Sequence, residues 1–192
     1  MERVTHVDRA REVLREAVEQ SDDLVFLGGA GVSTASGIPD FRSEDGLYRQ
    51  QFAYPPETML SHSFYEAHPA EFFDFYRKKM VALGARPNRA HRKLAELEGS
   101  GPLTAVLTQN IDGLHQMAGS RNVLELHGSV HRNVCQGCGR VYPAEWVMAT
   151  EGVPVCEECG GPVKPDVVLY EEPLDRRVLD AAADAVARCD TL

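Results

Sequence analysis

The sequence predicts an α/β protein in which a parallel sheet carries helices on both faces and a small cysteine-rich insert interrupts the chain. Two observations support this prediction. Short apolar runs of strand type alternate with segments of helical periodicity, and the first run ends in a cluster of glycines. Later, four cysteines fall into two Cys-x-x-Cys pairs. At 192 residues the chain is long enough for one domain with such an insert.

The composition indicates a globular protein of the cytoplasm. Hydrophobic residues make up 43% and charged residues 26% of the chain, which is ordinary for a folded domain. We expect no membrane association, because no apolar run approaches the roughly 20 residues of a spanning helix and the first residues are polar. The formal net charge of −9 argues against nucleic acid as a direct partner and is compatible with a basic peptide.

The glycine cluster is the first candidate for a binding site. Leu24–Leu27 is a buried strand by composition, and Gly28, Gly29 and Gly31 follow it before a helix that we expect to begin at Val32. A strand, a glycine turn and a helix N-terminus form a phosphate cradle, although a tight turn without ligand is an equally open interpretation. The spacing misses the usual dinucleotide fingerprint, which disfavours a hydride-transferring oxidoreductase.

The segment that follows contains residue types that bind ligands. Pro39 stops a helix, and Asp40, Phe41 and Arg42 then supply a carboxylate, an aromatic ring and a guanidinium in succession. We therefore expect this segment to close over a ligand. Residues 43–61 contain few regular signals, so they are either a further lid or a surface loop packed by its aromatic residues.

The remaining periodicity completes the predicted sheet and its helices. The aromatic residues of the second helix are expected to lie in the core, and a lone histidine in the third helix is expected to be packed or on the surface. The predicted helices are Val4–Gln20, Ser63–Leu83, Arg89–Leu97 and Leu174–Arg188, and the predicted strands are Leu24–Leu27, Leu103–Leu107, Val123–Leu126 and Pro165–Leu169.

Polar residues follow the second and third predicted strands directly. The second strand runs into Thr108–His115, and the third into His127 and Gly128. Because parallel strands end at the same edge of a sheet, we expect these residues to lie beside the glycine turn. A histidine in that position suits proton transfer near neutral pH.

The four paired cysteines predict a structural zinc site. Cys135 and Cys138 form one pair, and Cys156 and Cys159 form the other, each followed by glycine. Four thiolates leave no open coordination position for chemistry, and in a cytosolic protein this pattern indicates zinc rather than disulfides. We expect a zinc-ribbon insert over residues 129–164, with residues 1–128 and 165–192 forming the Rossmann-like domain.

Three motifs resemble the signatures of the sirtuins, the NAD-dependent protein-lysine deacylases. They are Gly29–Ser33, Ser36–Arg42 and Thr108–His115. The resemblance implies that NAD is a co-substrate, that acylated-lysine proteins or peptides are the partners, and that nicotinamide, free lysine and O-acetyl-ADP-ribose are the products. It implies His127 as the catalytic base and Asn110 as a residue positioning ribose or water. The implied NAD contacts are Ala30, Thr34, Phe41, Arg42, Gln109, Ile111, Asp112 and His127.

Two other functions stay open at this stage. One is a mono-ADP-ribosyltransferase on the same scaffold, and the other is an inactive fragment that acts only as a zinc-stabilised binding module. The second follows from comparison with the family pattern, in which a further strand and a Gly-Thr-Ser loop come after Leu192. We therefore expect the 192 residues to correspond to about three quarters of a family domain. The acyl-chain preference and the oligomeric state are not predicted.

Overall fold

The computed structural model describes residues 7–40 and 54–192. Eight α-helices lie in these ranges, and a π-helical turn at Tyr76–Met80 continues the fourth. The helices are α1 (Val7–Gln20), α2 (Pro56–Met59), α3 (His62–Ala67), α4 (Pro69–Phe75), α5 (Arg89–Ser100), α6 (Leu114–Ala118), α7 (Ala144–Ala149) and α8 (Arg176–Arg188). The strands are β1 (Leu24–Gly28), β2 (Leu103–Thr108), β3 (Val123–Glu125), β4 (Gly128–Cys135), β5 (Val141–Tyr142) and β6 (Val163–Val167).

The first sheet is parallel, in the order β1-β2-β3. Alternate side chains of β2 point to opposite faces, so that each face gains its own apolar cluster. Ala105 and Leu107 pack with Ala182 and Ala185 of α8, whereas Val106 packs with Leu94 of α5. Helices thus cover both faces, as the sequence predicts.

The second sheet is antiparallel, in the order β5-β4-β6, and it corrects one prediction. Pro165–Leu169 was expected to be a fourth strand of the parallel sheet, but β6 pairs with β4 instead, Val167 lying opposite Gly128. The apolar character of residues 167–169 shows that the segment is buried, but burial does not specify the partner strand. The partner of β6 is β4, the strand that begins the intervening cysteine-rich segment.

The aromatic residues of α4 and of the π-helical turn after it form the largest core of the described residues, as expected. Phe72, Phe73, Phe75 and Tyr76 are each no more than 3% exposed. They pack with side chains of the antiparallel sheet, Val130 and Val167 among them. This core therefore joins the helical segment to the second sheet rather than to the first.

The predicted helix Ser63–Leu83 is divided in the structure. His68 leaves the helical conformation, with φ −134° and ψ 55°, and α4 begins at Pro69, which has no N–H to donate and therefore starts a new helix. Helix α5 runs to Ser100, three residues beyond its predicted end at Leu97. His91 within α5 is fully buried.

The two ends of the described chain meet at the free edge of β1. Thr191 forms a parallel bridge with Leu24, and the carboxylate of Asp190 accepts the Ser21 hydroxyl and the Asp22 N–H. These hydrogen bonds lower the pKa of Asp190 to about 2. Among residues 7–40 and 54–192, no helix has the length and apolar character needed to traverse a bilayer.

Candidate functional site

The loops that follow β1, β2 and β3 surround a single cavity of about 630 Å³. The sequence placed these loops at one edge of the sheet, and the cavity confirms that arrangement. Of the predicted site residues, Ala30, Gln109, Asn110, Ile111, Asp112 and His127 line the cavity. Segments 38–40 and 167–172 complete its wall, together with Ser33, Leu60, Lys79, Met80 and Leu174.

The glycine turn leads into two short 3-10 helices rather than the α-helix that we expected at Val32. They cover Ala30–Val32 and Thr34–Ser36, and the second ends at Gly37 in the left-handed region with φ 83°. A single 3-10 turn presents fewer free N–H groups than an α-helix N-terminus does. The loop that was predicted to be a phosphate cradle is therefore a turn and not the end of an α-helix.

A polar cluster joins the first loop to the second. The buried hydroxyl of Ser33 donates to Asp112 Oδ2 at 2.6 Å, and Asn110 Nδ2 donates to Ser33 Oγ at 3.0 Å. Ser33 lay within a predicted motif, but it was not selected as a site residue. Its position at 1% exposure between two polar partners follows from tertiary contacts, which the sequence does not display.

Hydrogen bonds that involve backbone groups fix the conformation of the loop that contains Asp112. Asp112 Oδ1 accepts the Leu114 N–H at 2.9 Å, and the Asp112 carbonyl accepts His131 Nε2–H at 2.9 Å. Gly113 adopts φ 69°, and a Cβ there would lie 2.8 Å from the His131 ring. Only glycine fits this close approach, so the turn between β2 and α6 has one shape.

His127 is held in one tautomer. Its Nδ1 lies 3.0 Å from the carbonyl oxygen of Gln109. Because a carbonyl oxygen only accepts, Nδ1 carries the proton, and in the neutral ring Nε2 keeps its lone pair. The imidazole on the cavity wall is thus able to take a proton through Nε2.

Of the remaining predicted NAD contacts, Thr34 lies away from the cavity, and the other two are not among the described residues. The side chain of Thr34 is exposed, donates to the Gly31 carbonyl at 3.0 Å and does not line the cavity. Phe41 and Arg42 lie outside the described residues, as do residues 43–53 of the candidate lid.

Asn88 supports the first loop and was missed by the sequence analysis. Its Oδ1 accepts the Ala90 N–H at the start of α5, while its Nδ2 donates to the Val32 carbonyl at 2.7 Å and to Ser36 Oγ at 2.9 Å. An asparagine immediately before a helical segment is a recognisable N-cap signal. The second set of contacts has no such signal.

The four paired cysteines converge on one point of the antiparallel sheet. Their Sγ atoms all lie within 4.8 Å of one another, with Cys135 and Cys159 at 3.4 Å and Cys138 and Cys156 at 3.6 Å. Tetrahedral zinc thiolates require sulfur separations of roughly 3.8 Å, so the cluster fits this ion. The N–H groups of Gly137 and Cys138 point to Cys135 Sγ at 3.4 Å, and the Tyr142 hydroxyl lowers the pKa of Cys156 to about 6.

Comparison with known families decides the affiliation of the chain. A model of the Sir2 family matches residues 29–192. The chain belongs to the Sir2 family. It is 54% identical over 189 residues to an NAD-dependent protein deacetylase of Clostridium acetobutylicum, covering 97% of this chain and 77% of that protein.

Solved structures of Sir2 proteins share the fold. A Sir2 homolog in complex with NAD superposes with a TM-score of 0.85 at 39% identity, covering 99% of this chain and 72% of the other. A Sir2 protein with a deacetylated p53 peptide and 3′-O-acetyl ADP-ribose gives 0.84 at 37% identity, covering 93% and 72%. These likenesses confirm the Rossmann-like fold with its parallel sheet. The shares also agree with the expected three quarters of a family domain.

Proposed function

We propose that the chain is an NAD-dependent protein deacetylase, which transfers the acyl group of an acyl-lysine to ADP-ribose and releases nicotinamide. The observation that carries the proposal is the fixed tautomer of His127 on a cavity formed by three strand-end loops. The relative from Clostridium acetobutylicum, named NAD-dependent protein deacetylase, supports the same activity at 54% identity.

His127 is the proposed base. Its Nδ1–H is committed to the Gln109 carbonyl, so the ring does not rotate freely and Nε2 is the atom that accepts a proton from a ribose hydroxyl. NAD supplies a glycosidic bond whose cleavage frees nicotinamide and a ribose carbon that accepts the acyl oxygen. The protein orients the reactants and takes up the proton at Nε2.

Asp112, Asn110 and Ser33 form the proposed polar side of the NAD pocket. The carboxylate of Asp112 is suited to accept an amide N–H such as that of a carboxamide, and Ser33 and the Leu114 N–H fix its orientation. Ile111 lies next to it on the cavity wall and contributes apolar surface. A site with its dipoles set in advance does not have to reorganise when the substrate binds.

The remaining assignments are proposals of the same kind. Ala30 and Gln109 are supported as NAD contacts by their place on the cavity wall, whereas Thr34, Phe41 and Arg42 are supported by the motif alone. We propose structural zinc on Cys135, Cys138, Cys156 and Cys159, within an insert over 129–164. The grouping of thiols as a metal cluster supports a reducing compartment, so the cytoplasm remains the predicted location.

The test is nicotinamide release from NAD by this 192-residue chain, with acetyl-lysine peptide, with the same peptide unacetylated, and without peptide. We expect release only with the acetylated peptide. His127→Ala should reduce it by at least about 100-fold, since a positioned base contributes roughly that factor or more. The control is His68→Ala, which removes an imidazole that does not line the cavity.

The outcomes separate the proposed activity from its alternatives. If NAD labelled in its adenylate part leaves the label on the target protein, the reaction is instead mono-ADP-ribosyl transfer. A folded, zinc-loaded chain without any release would contradict the deacetylase proposal for these 192 residues and favour a binding module. Equal release by His127→Ala and His68→Ala would refute the assigned base.

A further inference from the structure

One wall of the cavity is a single run of chain, residues 167–172, here called the wall segment. All six of its residues line the cavity. The N–H of Val168 donates to the carbonyl of His127 at 3.0 Å, so the segment contacts the proposed base through the backbone. Its far end is paired with the start of α3, because Tyr170 N–H donates to Leu60 O and Tyr170 O accepts His62 N–H, both at 3.0 Å.

The carboxylate of Glu172 closes the turn at the end of the wall segment. Its Oε2 accepts the Leu169 N–H at 2.8 Å and the Lys164 ammonium at 3.0 Å, and its Oε1 pairs with His62 Nδ1 at 2.8 Å. The Glu172 and Lys164 side chains are only 18% and 13% exposed. Lys164 also donates to the Val167 carbonyl at 3.0 Å, so one partly buried ion pair contacts both ends of the segment.

The ionisation of this group follows from the same contacts. Burial opposes the charged carboxylate, but the hydrogen bonds from Leu169, His62 and Lys164 outweigh it and lower the pKa of Glu172. The hydrogen bond to Glu172 in turn raises the pKa of His62. Both pKa shifts therefore favour the charged forms of the two side chains.

Glu171 provides a second attachment to α3. It has φ 78°, the only positive value of a non-glycine residue among the described residues. That conformation is unfavourable for an L-residue with a side chain. It is stabilised here because the Glu171 carboxylate accepts the Ser63 N–H at 2.9 Å and the Ser63 hydroxyl at 3.0 Å.

We propose that Glu172 is a positioning residue that sets the shape of the wall segment for the acyl-lysine peptide, with Glu171 as its second anchor on α3. The proposal rests on the deacetylase function proposed above. Neither side chain is asked to take part in the chemistry. A wall fixed before binding spares the peptide the entropic cost of ordering it. The proposed NAD contacts Ala30 and Asp112 lie on other loops. The wall segment contacts the proposed base through Val168, at the end remote from Glu172, so the effect should fall mainly on the peptide.

The test compares Glu172→Gln with the wild-type chain in two measurements. Glutamine keeps the size of the side chain but offers no charge to Lys164 and His62. We expect an about tenfold weaker binding of a fluorescently labelled acetyl-lysine peptide, measured by anisotropy without turnover, and NAD binding unchanged within about twofold. We also expect faster amide hydrogen exchange at Leu169, measured by NMR, because its acceptor is weakened.

Glu98→Gln is the matched control. The Glu98 carboxylate also accepts two backbone N–H groups, those of Arg121 at 2.8 Å and Asn122 at 2.6 Å, but it does not line the cavity. A loss that reflects stability alone would appear equally in both variants. Lys164→Met combined with Glu172→Gln should cost less than the sum of the single changes, because the two groups act as a pair.

Each outcome bears on a different proposal. Wild-type peptide affinity and Leu169 protection in Glu172→Gln would overturn the positioning role while leaving the deacetylase function intact. Parallel losses of peptide and NAD binding in Glu172→Gln and Glu98→Gln would also overturn it, in favour of general destabilisation. A wild-type chain that binds no acetyl-lysine peptide would refute the proposed function, and the positioning role would be lost with it.

Discussion

The two sheets within residues 7–40 and 54–192 have three strands each but are stabilised by different means. The parallel sheet is buried between α8 on one face and α5 on the other, and its β2 side chains from Ala105 to Leu107 are at most 2% exposed. The antiparallel sheet has its own small cluster, in which Tyr142 and Val163 pack with two of the cysteines. The first sheet is held by apolar burial between helices, whereas the second packs one part against the α4 core and places the four thiols in the small cluster at its other part.

The contrast also separates two kinds of contribution to the cavity. The parallel sheet supplies the loops with Asp112 and His127, and the antiparallel sheet leads into the wall segment. The loops with Asp112 and His127 contain the residues of the proposed chemistry, whereas the wall segment determines the shape of the cavity. Changes confined to one sheet should therefore affect one contribution before the other.

Metal removal should break this comparison most strongly. A structural zinc ion contributes an apparent 10–16 kcal/mol, roughly as much as the folding free energy of a whole domain. We expect chelation to unfold the antiparallel sheet while amides of β2 stay protected from exchange. The single tryptophan, Trp146, stacks on Tyr142 with ring centroids 4.0 Å apart and packs against both the cysteine cluster and the core of α4, so its fluorescence reports on the contact between these two clusters.

Two variants control the chelation experiment. Cys138→Ser should produce the same change in Trp146 fluorescence as chelation, without any chelator. Cys189→Ser, which lies outside the cluster, should leave that fluorescence unchanged. Zinc added back should restore the wild-type signal. An unchanged Trp146 signal after verified zinc removal would show that the apolar cluster suffices.

Gly128→Ala should disturb the junction of the two sheets. Gly128 has φ 76°, and a Cβ there would overlap the carbonyl of Asp166 on β6. Backbone strain and steric overlap together should cost about 4 kcal/mol. Urea denaturation measures the loss. Gly99→Ala is the control, since nothing lies within 4 Å of its would-be Cβ and alanine in α5 should stabilise by about 0.5–1 kcal/mol.

The junction also illustrates what the sequence revealed. The predicted strand ends at Leu27, Leu107 and Leu126 each lie within one residue of the observed ends, because apolar runs and breakers mark them, and His127 followed as the residue after a short strand. The partner of residues 165–169 was not, because the same apolar run fits either sheet. Ser33, Asn88 and Glu172 acquire their roles from hydrogen bonds to Asp112, Val32 and His62, respectively, which are distant in sequence, so no local pattern exists for them.

Acid should weaken the parallel side through a buried histidine pair. His115 and His91 lie behind the Asp112 loop with ring centroids 4.7 Å apart, and both are at most 1% exposed. Burial, with a further contribution from His91, lowers the pKa of His115 to about 4. Its ordinary pKa is about 6.5, so stability is complete above that pH and declines as the pH falls towards 4, by about 3 kcal/mol.

The measurement is the unfolding midpoint in urea between pH 7 and pH 4. The loss should be smaller in His115→Phe, which cannot take up the proton, and unchanged in the half-buried His68→Ala. An identical acid profile for wild type and His115→Phe would exclude this histidine as the origin.

Asn88 offers the smallest and most selective change. Asn88→Asp keeps the oxygen that caps α5 but loses the donor to Val32 and Ser36. We expect little change in stability and a severalfold loss of NAD affinity, whereas Asn88→Ala should also cost about 1 kcal/mol of stability. Isothermal titration with NAD and urea denaturation separate the two effects. Equal NAD affinity in Asn88→Asp would show that the first loop holds its shape unaided.

The pairing of Gly128 with Val167 has a consequence for how this chain can evolve. The long excursion through the cysteines leaves and returns at two backbone positions that face each other across one strand spacing. Extra residues inserted between them add little loop-closure entropy and need not displace the frame that holds His127. The exposed turns of the cysteine-bearing region are therefore places where length can vary among descendants without moving the two positions at which the excursion begins and ends.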